Sequence, residues 1–198
     1  MTSGNSWASV LKSTPKTISN NRCNTNDSNI TYKKQKSDSG ECHKLPYSYV
    51  LWSHDANCSD WSINSYKKLC TINNVSQFWK LFNNFDKLGI NINNFFIMKE
   101  GILPMWEDEN NKNGGICSFK ADSSNILRLW EYIACMLVNN MLTVDNYDIN
   151  GISLNSKNNW GLIKIWNRDS NNDLTKTLSN NVLTHCKKYS MKYKSNSN

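Results

Sequence analysis

Apolar residues along this chain gather into short runs separated by polar turns, and no periodic pattern starts before Leu45. Tyr47-Ser48-Tyr49-Val50-Leu51-Trp52-Ser53 is aromatic and β-branched enough to predict a strand, closed by the polar turn His54-Asp55-Ala56-Asn57. Asn74 is a suitable N-cap for a helix over 75–85. Its apolar residues form two ridges, Phe78, Phe82 and Phe85 on one and Val75 with Trp79 on the next. The Phe ridge is expected in the core, and the Val75/Trp79 ridge is either the core's margin or an exposed docking patch. Strands are predicted at 94–99 and 116–120, forming a hairpin-like unit with Asn113-Gly114-Gly115 as a tight turn. The longest helix, 125–139, capped by Ser123 or Ser124, sets Ile126, Trp130, Ile133, Ala134 and Leu137 along one face. Two strands at 151–156 and 162–167 flank the turn Lys157-Asn158-Asn159. A third helix opens at Asn172 or Asp173 with Leu174, Leu178 and Val182, and a last short strand covers 189–193. Strands interleaved with helices, without regular β-α-β alternation, predict an α+β domain.

Residues 1–43 are rich in Ser, Thr, Asn and Lys, and their scattered apolar positions never form a period. They are expected to be a disordered tail, leaving 44–198 as one domain. The formal net charge of +7 favours an anionic partner such as nucleic acid, although a basic surface serves solubility equally well. Seven Cys without a Cys-x-x-Cys pair, and only three His, argue against a disulfide framework and against a zinc site, and place the chain in a reducing compartment. No leader pattern and no stretch approaching the roughly 18 apolar residues of a membrane span are present, so the expectation is a cytoplasmic protein without cofactor or metal.

The segment with the most chemistry is Pro104-Met105-Trp106-Glu107-Asp108-Glu109, which sets an indole beside three acceptor-only side chains. That combination suits a flat, cationic ligand with a donor edge, such as a methylated purine: the ring stacks on indole and a carboxylate accepts two hydrogen bonds from the base. Taken alone, the hexapeptide reads more simply as a surface loop whose Trp covers core. The other tryptophans alter the balance, since eight Trp is high usage for 198 residues. Trp61 stands among Cys58-Ser59-Asp60 and Ser62 with no obvious core to fill, and stacking on a ligand or packing both remain open.

In order along the chain come Trp61, Phe78-Trp79, the run from Gly101 to Glu109 with Gly114-Gly115 after it, Leu129-Trp130-Glu131, and Ile163-Lys164-Ile165-Trp166. Together these resemble the cap-binding translation initiation factor 4E family. The resemblance implies a curved antiparallel sheet of about eight strands with three helices on its convex face. It implies that Trp61 and Trp106 sandwich 7-methylguanine, that Glu107 accepts from the base edge, and that Trp166 lies against the methyl group. On the convex face it implies that Val75, Trp79, Trp130, Glu131 and Ala134 dock a Tyr-x-x-x-x-Leu helix of a scaffold initiation factor or repressor.

The phosphate side departs from the family. Lys157 stands where relatives have arginine, Leu162 replaces a lysine, and Ile116 and Cys117 replace a basic residue and a Trp. Lys164, two residues from Trp166 on a strand, is expected on the same face and able to compensate. Trp160 either stacks on the first transcribed nucleotide or packs locally. The expected function is that of a monomeric, non-enzymatic factor that binds capped messenger RNA and recruits it for translation through a scaffold. The alternatives are a cap-binding repressor that does not engage the scaffold, and a general single-stranded RNA binder indifferent to methylation. A cap-processing enzyme has no support, there being no glycine-rich cofactor loop, His-centred triad or metal-ligand cluster.

Overall fold

The computed structural model describes residues 43–144 and 148–196, so the expected tail at 1–43 lies, apart from His43, outside the described residues. The strands are β1 (Lys44–Asp55), β2 (Tyr66–Asn74), β3 (Asn93–Lys99), β4 (Gly115–Asp122), β5 (Ile149–Ser156), β6 (Trp160–Asn167) and β7 (Ser190–Ser195). The α-helices are α1 (Val75–Phe82), α2 (Ile126–Val138), α3 (Leu174–Thr177) and α4 (Asn180–Cys186), with short 3-10 turns at Ile63–Ser65 and Phe85–Leu88. All seven strands join one antiparallel sheet in the order β2-β1-β3-β5-β6-β4-β7.

The sheet is curved and apolar on both faces. Tyr49 and Leu51 of β1, Phe95 and Ile97 of β3, and Ile163 and Ile165 of β6 point to the helix side, where α2 lays Ile126, Leu129, Trp130, Ile133 and Leu137 against them. Each of these side chains is nearly or fully buried, which stabilises by about 1.5–3 kcal/mol apiece before the cost of ordering. On the opposite face a second apolar cluster gathers Tyr66, Phe96, Met98, Ile102, Ile116 and Trp166, with no α-helix of the described residues packed over it. Strand β3 therefore reads as a continuous apolar run because both of its faces are covered.

Several expectations change. The sheet has seven strands, not about eight, and includes an edge strand, β2, that the sequence pattern concealed: Lys67 and Lys68 are exposed and Leu69-Cys70 break the alternation. The strands flanking the acidic loop do not form a hairpin, because β5 and β6 lie between β3 and β4. Asn74 does cap α1, its Oδ1 accepting from the Gln77 N–H at 2.9 Å. The N-cap of the longest helix is Asn125, not Ser123 or Ser124, and no side chain caps the helix; the Asp122 carboxylate instead holds the preceding turn, accepting from Asn125 N–H at 3.1 Å. The single C-terminal helix is two. Leu178 leaves helical geometry to bridge Thr143, and Ser179 caps a new start, accepting from Val182 N–H.

Crowding, and not a left-handed turn, requires glycine in the Gly114-Gly115 pair, since neither residue has positive φ. A Cβ on Gly114 would stand 1.8 Å from the Asn167 carbonyl oxygen. Beside it, Asn167 Oδ1 accepts from Gly115 N–H at 2.9 Å and from the Tyr193 hydroxyl at 3.0 Å. Gly114→Ala is expected to lower stability by about 1–3 kcal/mol through forced backbone displacement. Urea unfolding checks this: the midpoint falls while the slope is unchanged.

Candidate functional site

The open face of the sheet holds a cavity of about 400 Å³, lined by Trp61, Tyr66, Phe96, Met105, Trp106, Glu107, Asn155, Lys164 and Trp166 among others. Five of these, Trp61, Trp106, Glu107, Lys164 and Trp166, are site residues expected from the sequence, and the fold brings all five together.

Trp61 arrives from the loop after β1. Asp60 brackets it, its carboxylate accepting from Ser62 N–H at 2.8 Å and Ser62 Oγ at 3.0 Å, bonds that hold the Asp60 carboxyl below its ordinary pKa. Behind Trp61 lies His54, ring stacked on ring at 4.0 Å and 10°, and tied to the Asp60 carbonyl oxygen through Nε2 at 2.8 Å. Tyr66 tilts against both rings. The indole is 50% exposed and yet fixed in orientation.

Trp106, 54% exposed, belongs to the loop between β3 and β4. The loop leaves the sheet through Gly101, whose φ of 89° is left-handed and favours glycine. Its three acids have separate tasks. Asp108 is a staple, accepting from Leu103 N–H at 2.9 Å and Asn110 N–H at 2.8 Å. Glu109 pairs with Lys112 in solvent, an interaction of little energetic weight. Glu107 is exposed and, among the described residues, has neither a hydrogen-bond nor an ion-pair partner. Its charge is felt by Tyr66, whose hydroxyl is pushed up to about 12, by burial first and by Glu107 second.

What fixes this loop was not visible in the sequence. Asn111 is fully buried and donates from Nδ2 to the carbonyls of Leu103 at 2.9 Å and Met105 at 2.7 Å. Asn150, on β5, donates in turn to Asn110 O at 2.7 Å and Asn111 Oδ1 at 3.0 Å. In a chain so rich in Asn, no local signal marks these two.

At the floor, the buried Trp166 donates from Nε1 to Ser153 Oγ at 3.0 Å and meets Phe96 edge-on. Beside it Asn155 donates to Asn94 Oδ1 at 2.9 Å, while its own Oδ1 is buried at the cavity wall and unpaired. Lys164 shares the Trp166 face as expected, and burial lowers its pKa. Lys157 and Trp160 lie elsewhere: they line a neighbouring depression of about 440 Å³ with Ala56, Asn57 and Asn91, and the Lys120 ammonium sits 4.6 Å from the Trp160 ring centre. Among the described residues no group of His, Cys, Asp or Glu is placed to hold a metal ion, and no helix is long and apolar enough to cross a membrane.

Comparison with known proteins decides the lineage. The family model for eukaryotic initiation factor 4E matches residues 44–198. The chain belongs to the 4E family. Members of that family are binding factors and not enzymes. The rice protein named eukaryotic translation initiation factor NCBP is 30% identical over 165 residues, spanning 77% of this chain and 70% of its own. A crystal structure of Ascaris suum eIF4E-3 with m7G cap superposes with a TM-score of 0.68 at 24% identity, covering 78% of this chain and 91% of that one. The complex of C. elegans eIF4E-3 with the 4E-binding protein Mextli and a cap analog gives 0.67 at 24% identity, over 78% and 92%.

The helix side of this 4E-family fold carries the other predicted group, and the structure divides it. Val75 and Trp79, one turn apart on α1, are 38% and 42% exposed, and Glu131 is exposed on α2. Trp130 and Ala134 are fully buried, a correction to their expected place on a docking surface. Trp130 packs against the rings of Phe82 and Phe85, with centroids 6.5 and 5.9 Å away, and so supports that surface from below. A shallow cleft of about 360 Å³ between Phe82, Phe85, Leu127, Arg128 and Glu131 lies above it.

Lys164→Met tests the electrostatics of the cavity. The folded state holds the Lys164 proton less tightly than the unfolded chain, so the ammonium costs stability below its folded pKa, and the cost fades as pH climbs toward the ordinary 10.5. The variant is expected to melt at higher temperature than wild type near neutral pH. The gain should shrink in alkaline buffer, as thermal scans at several pH values will register.

Proposed function

We propose that this protein binds the 7-methylguanosine cap of messenger RNA and recruits it for translation initiation through a scaffold protein. The observation that carries the reading is Glu107: a carboxylate without a partner among the described residues, at the rim of a cavity walled by two half-exposed indoles and floored by a third. A cationic purine entering that cavity stacks on Trp61 and Trp106 with a cation–π gain of about 0.5–2 kcal/mol. Its donor edge satisfies Glu107, and its methyl group rests on Trp166. Methylation makes the ring cationic, so plain guanine loses the electrostatic part of the stack. Family membership supports the same reading, and the Ascaris suum and C. elegans relatives were solved with cap or cap analog.

The scaffold interaction rests on Val75, Trp79 and Glu131. An indole and a valine one turn apart, exposed on a helix, form the apolar strip that a Tyr-x-x-x-x-Leu helix would cover. In this arrangement Trp130 and Ala134 act as the floor beneath the docked helix. The protein works as a cytoplasmic monomer with two ligands on opposite faces of one sheet.

Intrinsic tryptophan fluorescence tests the cap site. Strong quenching by 7-methylguanosine triphosphate and weak quenching by GTP are expected. Glu107→Gln should cost about tenfold to hundredfold in affinity, the worth of hydrogen bonds to a charged group. Equal quenching by both nucleotides would overturn the reading and favour a general RNA binder. On the other face, Trp79→Ala should abolish binding of a Tyr-x-x-x-x-Leu peptide in calorimetry while leaving nucleotide affinity intact; parallel loss of both would refute two independent surfaces. A wild type that holds cap and ignores such peptides would instead be a repressor.

A further inference from the structure

The open face carries a second feature beyond the cavity. Strand pairing aligns Lys164 on β6 with Ser118 on β4 and Lys192 on β7, and one row over aligns Trp166 with Ile116 and Lys194. Lys120 flanks the row from β4, opposite Leu162 and Ser190. Met191 and Tyr193 turn to the helix side and pack on the main core, which fixes Lys192 and Lys194 on the open face, where both are exposed. Strands lie about 4.8 Å apart, so Lys192 begins about 10 Å from Lys164, which itself lines the cavity.

None of these four lysines has an ion-pair partner among the described residues. The acid nearest in register on β4 is Asp122, at the far end of the strand, and its carboxylate is already taken by Ser124 and Asn125. On β4, between the cavity strand and the edge strand, Ser118 and Ile116 contribute no charge. Along the row of Lys164, Ser118 and Lys192 the basic charge therefore starts at the cavity and resumes on the edge strand, about two strand spacings out, with Lys120 of β4 to one side.

We infer that the Lys164–Lys192 row, with Lys194 in the next row and Lys120 flanking it, is a track for the RNA that follows the cap, gripping the phosphodiesters of the first nucleotides across β4 and β7. Resting on the cap reading above, this inference concerns how the bound RNA leaves the site. The lysines meet phosphate and not base, so they supply affinity without sequence preference. Ammonium groups on flexible stems suit a chain whose base sequence varies.

The test uses the full chain with two probes, 7-methylguanosine triphosphate and a short capped oligoribonucleotide, titrated over a range of salt. Wild type should bind the oligonucleotide more tightly than the nucleotide, with a steeper salt dependence. Lys192→Glu with Lys194→Glu should remove that advantage and reduce the log–log salt slope for the oligonucleotide by about 1.4, at about 0.7 for each phosphate no longer neutralised. Nucleotide affinity should stay unchanged. Circular dichroism confirms the fold, and the glutamates keep the edge strand charged. An oligonucleotide that binds wild type no better than the nucleotide overturns the track, as does an undiminished oligonucleotide affinity or salt slope in the variant. If the nucleotide itself fails to bind wild type, the cap reading falls. The track is then judged separately by whether the variant loses oligonucleotide affinity and salt slope.

Discussion

An indole left half in water collapses onto the nearest apolar surface unless its geometry is imposed from behind, and the open face of this protein is arranged around that constraint. A broad apolar cluster lies within reach of both Trp61 and Trp106. Trp61 is oriented by stacking on His54, which fills one ring face and is anchored by the Asp60 carbonyl, and it meets the cluster only edge-on, at Tyr66. Trp106 is held by its backbone, through the buried amide of Asn111 and the carboxylate of Asp108. Binding then finds the aromatic walls already placed, and the ordering entropy has been met during folding.

The same logic governs charge. Among the described residues Glu107 has no hydrogen-bond or ion-pair partner, and Lys164 is partly desolvated and in no ion pair. Each is an interaction withheld from the folded protein. A protein optimised for stability alone would pair or remove them. Their unpaired state is what a charged ligand can use.

Legibility in the sequence followed the range of the interaction. Helices α1 and α2 and most strands stand out because a period of 3.6 or 2 is a local property. Pairing is not local, which is why two strands flanking one loop read as a hairpin although β5 and β6 separate them. Trp130 shows a conflict between two signals: resemblance places it on the docking surface, while its position in the helical period places it with Ile126 and Ile133 on the core face, and packing follows the period. Trp61, Trp106, Glu107 and Trp166 are recognisable because their residue types are rare or chemically pointed. Asn111, Asn150, His54 and Tyr66 acquire their importance only from what they touch.

The sheet is open, and each of its two edges carries a pair of lysines, Lys67 and Lys68 on β2 and Lys192 and Lys194 on β7. An exposed edge strand offers unpaired backbone groups to any other strand, and lysines there make such an approach self-repelling. The β7 pair thus gives the free protein colloidal protection. A polyanion spanning two molecules could neutralise both edges at once, so the guard against edge-to-edge association is strongest when the surface is empty and depends on ionic strength as any exposed charge does.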